Sequence, residues 1–181
     1  MKKRLLASLL ALCLVFALAA CGEAPAAESG EPAASEEPAG DLVAYELDGI
    51  GTAYLPAGGE VTVTPVTEPL PQMQATIAFE GFTVHIGSTG PEAYEISGVD
   101  FPASVEEFSQ RSGPQSDVGE GQVFAYDEYG NYCTQFTRDG RDVYYAVRVR
   151  EAGTAALAFS CPEGTIENYN PGLWISLVEI N

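Results

Sequence analysis

The stretch NYCTQFTRDGRDVYYAVRVR, residues 131–150, decides the fold of this chain. Asp139-Gly140 is a strong signal for a two-residue hairpin turn, and aromatic and β-branched residues flank it on both sides. The pattern predicts strands over 131–138 and 141–150, with Arg138 opposite Arg141. In this register one face of the hairpin carries apolar side chains that we expect to form core: Tyr132, Phe136, Val143, Tyr145, Val147 and Val149.

The hairpin extends into an antiparallel meander. Residues 123–126 predict a preceding strand, and a turn over 151–154 leads into a strand over 155–161. Leu157 and Phe159 lie on the other face of this last strand. A sheet that is apolar on both faces needs cover on both faces.

Two segments are expected to supply helical cover. Residues 102–111 predict a helix in which Val105 and Phe108 share one face and acidic residues occupy the first turn. In the tail, residues 162–181, Pro171 opens a short helical segment. The apolar residues of that segment are Leu173, Trp174 and Leu177.

The N-terminal part of the domain is also rich in strand signals. Strands are predicted over 42–47, 52–55, 60–66, 73–79 and 82–86, with a hairpin turn at 48–51 and a loop over 87–98. The sequence therefore predicts one α+β domain over 41–181. We expect it to be an antiparallel sheet with a C-terminal meander, covered by helices on both faces.

Several of these sequence features occur in an order that is characteristic of one protein family. A Pro56-Ala57-Gly58 break precedes the Val105-Glu106-Glu107-Phe108 helix, and Asp139-Gly140-Arg141-Asp142-Val143-Tyr144-Tyr145-Ala146-Val147 precedes a terminal helix. In this order the chain resembles the PsbP-like fold over residues 42–180. The resemblance implies an antiparallel sheet packed between helices, and many bacterial members of that family are lipoproteins. It implies a binding or accessory role and offers no catalytic motif to carry over, and it does not imply a role in photosynthesis.

The N-terminus has the pattern of an export signal. Lys2, Lys3 and Arg4 precede an apolar run, residues 5–20, that is short for the roughly 20 residues of a spanning helix. The run ends in Leu18-Ala19-Ala20-Cys21-Gly22, which resembles the lipobox of bacterial lipoproteins. We expect residues 1–20 to be removed and Cys21 to be the lipidated N-terminus. An ordinary secretory signal and an uncleaved anchor are the alternatives.

A tether is expected between this anchor and the domain. Residues 22–40 contain only Ala, Glu, Pro, Gly and Ser, so the segment cannot bury enough apolar surface to offset chain entropy. A flexible chain of this length spans about 25 Å. Residues 21–40 would thus hold the domain at the cell membrane, facing outside the cytoplasm.

The expected exported part is strongly acidic. The chain carries a net charge of −18 with 26 Asp and Glu, and loss of the three cations of the signal changes the charge to −21. Such a surface repels nucleic acid and anionic lipid, so neither is an expected partner. The charge serves solubility or attracts cationic ligands or metal ions. Residues 127–131 lack the spacing of a calcium loop and are predicted to be a turn.

The residues give little support for catalysis. His85 is the only histidine and is predicted on a strand, facing opposite to Val84. No second histidine completes a zinc site, and no serine-nucleophile or phosphate-loop motif is present. Cys133 and Cys161 lie on predicted strands, away from any helix N-terminus that would lower a thiol pKa. We expect no enzyme, and no catalytic, metal-binding or cofactor-binding residue.

The two cysteines of the domain are predicted to remain reduced. The turns place Cys133 opposite Ala146 and Cys161 near Tyr144 on the same middle strand. Their Cα atoms should then be roughly 10 Å apart, beyond the ~7 Å that a disulfide bridges. We expect two free, largely buried thiols.

Tyr144 and Trp174 are the candidate ligand-binding residues. Tyr144 points away from Val143 and Tyr145, and with Trp174 it could form an exposed platform for a sugar or peptide, unless both pack half-buried under helices. The sequence therefore predicts a lipid-anchored binding or accessory protein whose partner is a cell-envelope polymer, a peptide or a membrane protein. The alternatives are a cell-envelope hydrolase and a structural subunit that docks on a membrane complex.

Overall fold

A computed structural model describes residues 41–68, 70–112 and 123–181 of the chain. The signal, Cys21 and the tether predicted above lie outside the described residues. Within them the protein is an α+β fold with two antiparallel sheets and three short α-helices. No helix in these ranges is long and apolar enough to cross a membrane.

The smaller sheet has three strands, and the chain forms it from both ends of the domain. Its strands are β1 (Leu42–Leu47), β2 (Gly51–Pro56) and β10 (Val178–Ile180), in the order β1-β2-β10. The β1–β2 hairpin agrees with the sequence prediction. Strand β10 was not predicted, because three residues are too few for a recognisable alternation of polar and apolar side chains.

The larger sheet has seven strands, all paired antiparallel. They are β3 (Glu60–Val66), β4 (Gln72–Ala78), β5 (Thr83–Thr89), β6 (Ala125–Tyr126), β7 (Tyr132–Arg138), β8 (Arg141–Arg150) and β9 (Gly153–Pro162). Their order is β3-β4-β5-β9-β8-β7-β6. The N-terminal strands therefore join the C-terminal meander through β5 and β9, which pair side by side in the middle of the sheet.

The central hairpin has the predicted register. Arg138 lies opposite Arg141, and Asp139 and Gly140 adopt φ angles of 52° and 72°, as a tight hairpin turn requires. The next turn is shorter than predicted, because Arg150 already pairs with Gly153. Cys161 therefore lies opposite Asp142 instead of Tyr144.

The main core lies on one face of the seven-stranded sheet, called here the inner face. Its fully buried residues include Ile77, Val84, Ile86, Leu157, Phe159, Tyr144 and Ala146. The cover is the small sheet together with helix α3 (Pro171–Ser176), through Leu55, Val178, Trp174 and Ile175. The hairpin face predicted as core is the opposite one, and of its residues Val147 and Thr134 are buried. Both faces of the hairpin are apolar, so its alternation alone could not show which face receives the heavier cover.

The opposite, outer face is partly covered by two helices. Helix α1 (Pro91–Ser97) follows β5, and helix α2 (Val105–Ser112) corresponds to the helix predicted over 102–111. The loop predicted over 87–98 is wrong, since β5 continues to Thr89 and α1 begins at Pro91. Proline in the first turn and Gly98 in the left-handed conformation after the helix are common helix boundaries.

Candidate functional site

A groove follows the outer face of the seven-stranded sheet over β4, β5 and β9. It consists of two adjoining cavities of about 270 and 230 Å³. Gln72, Gly87, Tyr145 and Ala156 line both cavities, so the cavities adjoin. We call this feature the outer-face groove. Its combined size lies within the ~300–1,000 Å³ typical of ligand pockets.

The floor of the groove is low because neighbouring strands carry small side chains at matching positions. Gly87 on β5 pairs with Ala156 on β9, and in the next row Ala158 of β9 pairs with His85 of β5. Residues that pair in an antiparallel sheet point to the same face. Small residues on adjacent strands therefore leave a depression in the middle of the sheet.

Gly87 also admits a neighbouring amide. A Cβ atom placed on Gly87 would lie 3.3 Å from Oε1 of Gln72 and 3.8 Å from the carbonyl oxygen of Ala156. The Gln72 side chain thus lies against the β5 backbone at a position where a larger residue would displace it. Because the close atom ends a flexible side chain, a substitution here would fill the groove without opposing the fold.

The walls are aromatic side chains held by hydrogen bonds. The hydroxyl groups of Tyr94 on α1 and Thr154 on β9 are 2.7 Å apart and hydrogen-bonded. The Tyr145 hydroxyl donates to the carbonyl oxygen of Ser112 at the end of α2, at 2.8 Å. Burial raises the pKa of Tyr145, so its phenol stays protonated and continues to donate. These bonds attach both helices to the sheet beside the groove.

The groove is electrically neutral within a very acidic domain. None of the described lining residues is Asp, Glu, Lys or Arg. His85 lies at one end; withdrawal of part of its ring from water lowers its pKa, and the positive charge of Arg141 lowers it further. The imidazole is therefore neutral at pH 7, and the described lining residues carry no formal charge, although the charge of Arg141 acts on the end of the groove at His85.

His85 lies at the exposed surface, opposite in direction to buried Val84, as predicted. Its Nδ1 atom is 3.1 Å from the Thr76 hydroxyl oxygen. Among the described residues, no carboxylate hydrogen-bonds to the imidazole to orient it as a general base. No group of three or more His, Cys, Asp or Glu in the same ranges is placed to hold a metal ion.

Tyr144 and Trp174 do not form the predicted platform. Tyr144 is 2% exposed and Trp174 is 4% exposed, so neither ring presents a surface to a ligand. Tyr144 faces the inner side of the sheet, where its hydroxyl donates to Oδ2 of Asp127 at 2.5 Å. Trp174 packs against Phe82 and Phe159, with ring centroids 4.8 and 5.7 Å away. Helix α3 and the small sheet cover this face, which the hairpin sequence does not reveal.

Asp127 organises the turn that precedes β7. Its Oδ1 accepts hydrogen bonds from the backbone N–H groups of Tyr129 and Asn131, at 3.0 and 2.8 Å. The Asn131 side-chain amide donates to Oδ2 of Asp127 and to the carbonyl oxygen of Gly172 in α3. Burial opposes ionisation of Asp127, but these bonds and that from Tyr144 outweigh it and lower its pKa. The cluster is a structural connection between the turn, β8 and α3.

Both cysteines of the described domain are free, as predicted. They lie on strands β7 and β9, on either side of β8. Cys161 is buried and Cys133 is half-buried, and burial raises the pKa of the Cys133 thiol. A protonated thiol is a poor nucleophile, so Cys133 is a packing residue in this setting.

A larger depression, of about 460 Å³, lies between the start of α2 and strand β8. Glu106 and Arg150 both line it, so its lining carries both signs of charge. Arg148 also lines it, but its guanidinium donates to the carbonyl oxygens of Val178 and Ile175, at 2.5 and 2.6 Å. This depression favours no single class of ligand, whereas the outer-face groove does.

Comparison with known proteins does not identify a relative of this chain. No family model matches the chain, and no curated protein is similar to it at a significant level. The function proposed below therefore depends on the groove, the composition and the N-terminal sequence.

Proposed function

We propose that this chain is a lipid-anchored, extracytoplasmic protein of binding or accessory type that holds a ligand in the outer-face groove. The observation that carries the proposal is the uncharged groove with its floor of small residues and its tyrosine walls. Ligand sites are commonly concave, preformed and fitted with a few polar groups. Binding without chemistry is favoured because His85 has a threonine hydroxyl as its partner and, within the described ranges, no carboxylate to orient it.

The binding proposal is tested by filling the groove. Thermal-shift and ligand-observed NMR screens against envelope polymers and peptides should find a ligand of the mature lipoprotein. Gly87→Leu, which places a side chain over the floor, should abolish that binding. Ala78→Leu is the matched control, since Ala78 is exposed on β4 outside the groove. A ligand that binds wild type and Gly87→Leu equally would show that the groove is not the site.

The anchor is proposed from the Leu18-Ala19-Ala20-Cys21-Gly22 motif and the tether that follows it. Mass spectrometry of the membrane fraction should find an N-terminal peptide that begins with lipid-modified Cys21. A mature N-terminus at any other residue would contradict lipidation.

We further propose that the α+β domain has, more specifically, a PsbP-like fold. Support comes from the antiparallel sheet, from the Gly140 to Val147 hairpin motif, and from α2 and α3, which pack on opposite faces of β8. An experimental structure that superimposes poorly on PsbP-like domains would remove this proposal and leave the α+β description unchanged.

A second candidate function is docking on a membrane complex. The segment that runs from the last turn of α1 towards α2 exposes three apolar residues, Ile96 at 80%, Val99 at 45% and Phe101 at 36%. Exposed apolar residues close together can mark an interaction surface. If docking is the function, Ile96→Ser with Val99→Ser should abolish crosslinking to one defined membrane-protein partner while Gly87→Leu leaves it intact. The reverse pattern would exclude docking through this segment.

A further inference from the structure

We infer that the ligand of the outer-face groove is a neutral glycan, an uncharged chain of polyhydroxylated rings. This inference rests on the proposed binding function and names its ligand class.

Charge is the first argument. The described lining residues offer no cation to an acidic polysaccharide or a phosphorylated ligand, and no carboxylate to a basic peptide; Arg141, whose charge acts on His85, is not among them. An anion entering the groove would also approach a domain whose described part is dominated by acidic side chains, at a cost in Coulomb energy. A neutral ligand avoids both penalties.

The polar lining is the second argument. Gln72, Gln74 and Thr76 follow one another along the outer face of β4 at every second residue. No hydrogen bond between described side chains occupies the amides of Gln72 and Gln74. A primary amide donates and accepts, as does a hydroxyl group, so a row of such side chains is complementary to the hydroxyl groups of a sugar chain.

The aromatic wall is the third argument. The Tyr145 hydroxyl is already bonded to the Ser112 carbonyl oxygen, so the ring is the part of Tyr145 that is left to contact a ligand in either cavity. A tyrosine ring provides a rigid apolar surface at small entropic cost. The apolar C–H face of a sugar ring fits such a surface, and two adjoining cavities fit two consecutive rings.

A peptide is a poorer fit to this groove. Extended peptides commonly bind by adding a strand to an exposed sheet edge. The floor consists of β5 and β9, which are paired on both sides, β5 with β4 and β9, and β9 with β5 and β8. Their backbone groups are therefore engaged in the sheet. A peptide here would have to satisfy its own backbone groups with side chains alone.

The experiment uses the full mature lipoprotein in detergent micelles and three sets of probes. They are short oligomers of glucose, xylose, mannose or N-acetylglucosamine, galacturonate oligomers, and an uncharged Gly/Ser/Gln peptide. Calorimetry and saturation-transfer NMR should show binding of at least one neutral oligosaccharide, with a Kd that changes less than about twofold between low and high salt. Gly87→Leu should weaken it at least tenfold, and Ala78→Leu should not.

Further variants keep the outcome clear. If Gly87→Leu misfolds, Ala156→Leu fills the floor of the groove from β9 instead. Gln74→Ala removes an exposed amide without filling the groove, and it should weaken binding severalfold. Absence of any neutral-glycan binding, or equal affinity for galacturonate oligomers, would overturn the glycan inference. Peptide binding that Gly87→Leu abolishes would overturn this inference alone. Ligand binding unchanged in both floor variants would overturn the proposed function as well.

Discussion

Replacement of Tyr144 by phenylalanine tests how the Asp127 cluster stabilises the fold. The substitution keeps the buried ring and removes only the hydroxyl that donates to Oδ2 of Asp127 at 2.5 Å. A hydrogen bond to a charged group contributes about 1.5–3 kcal/mol, and a neutral one about 0.5–1.5 kcal/mol. Because the Asp127 side chain is only half-buried, solvent screens the interaction and the lower part of the charged range applies. We expect a loss of about 1.5–2 kcal/mol at pH 7, or a fall in Tm of roughly 5–8 °C.

The pH dependence of the stability loss in Tyr144→Phe tests whether the partner of the hydroxyl is the charged form of Asp127. The pKa of Asp127 is lowered from its ordinary 3.8 in the folded protein, so its contribution to stability is complete above that value and is lost as pH falls through the folded pKa. Tyr144→Phe removes one of the bonds that lower this pKa. The difference in free energy of unfolding between wild type and variant should therefore shrink in acid to about 0.5–1.5 kcal/mol, the range for a neutral hydrogen bond.

Urea denaturation of both proteins, at pH 7 and below the titration of Asp127, provides the measurement. Tyr54→Phe is the matched control, since Tyr54 is 37% exposed and its hydroxyl has no hydrogen bond to a described residue. The control should change stability by less than about 0.5 kcal/mol. An equal loss for Tyr144→Phe at both pH values, or a loss below 0.5 kcal/mol at pH 7, would refute the reasoning.

Three other substitutions and one titration test separate features. Arg148→Met removes two hydrogen bonds to carbonyl oxygens of α3 and β10 and should lower the free energy of unfolding by about 2–4 kcal/mol. Hydrogen exchange in β10 should become faster. Unchanged exchange would contradict this role of Arg148. Gly51→Ala places a Cβ 1.9 Å from the Glu179 carbonyl oxygen and should cost more than about 3 kcal/mol. Gly58→Ala, with φ of 98° and open space, should cost only about 1–2 kcal/mol, and equal losses would argue against the close approach. NMR titration of His85 should give a pKa below 6.5. Because His85 is then protonated more readily in the unfolded chain than in the folded protein, stability should fall as the pH is lowered through the unfolded pKa. A pKa at or above 6.5 would contradict the partial withdrawal of the ring from water.

The sequence predicted the parts of the fold that depend on local signals. The Asp139-Gly140 turn determines the hairpin register, because a two-residue loop allows few alternatives. The sequence could not show that Tyr144 and not Tyr145 faces the main core, because this depends on where the small sheet and α3 pack. It also misplaced Cys161 by two residues, since the next turn is tighter than its composition indicates.

The groove was beyond sequence reasoning for a similar reason. Its floor requires β5 and β9 to be neighbours, although residues 90–152 separate them in sequence. One signal was present: small and polar residues alternate with apolar ones from Thr83 to Gly87, so that Thr83, His85 and Gly87 share a face. Ending the predicted strand at Ile86 concealed this alternation.

The pairing of β2 with β10 also has consequences for biogenesis. A polypeptide is synthesised from its N-terminus, so residues 51–56 emerge long before Val178–Ile180, which complete their sheet. Until then the edge of β2 that pairs with β10 has no partner strand, and the apolar side of the β1–β2 hairpin is uncovered. Contacts between such distant segments slow folding and lengthen the time during which a chain can aggregate. Cooperative folding must therefore wait for the last strand, and a stalled or shortened chain would be a substrate for proteases and chaperones.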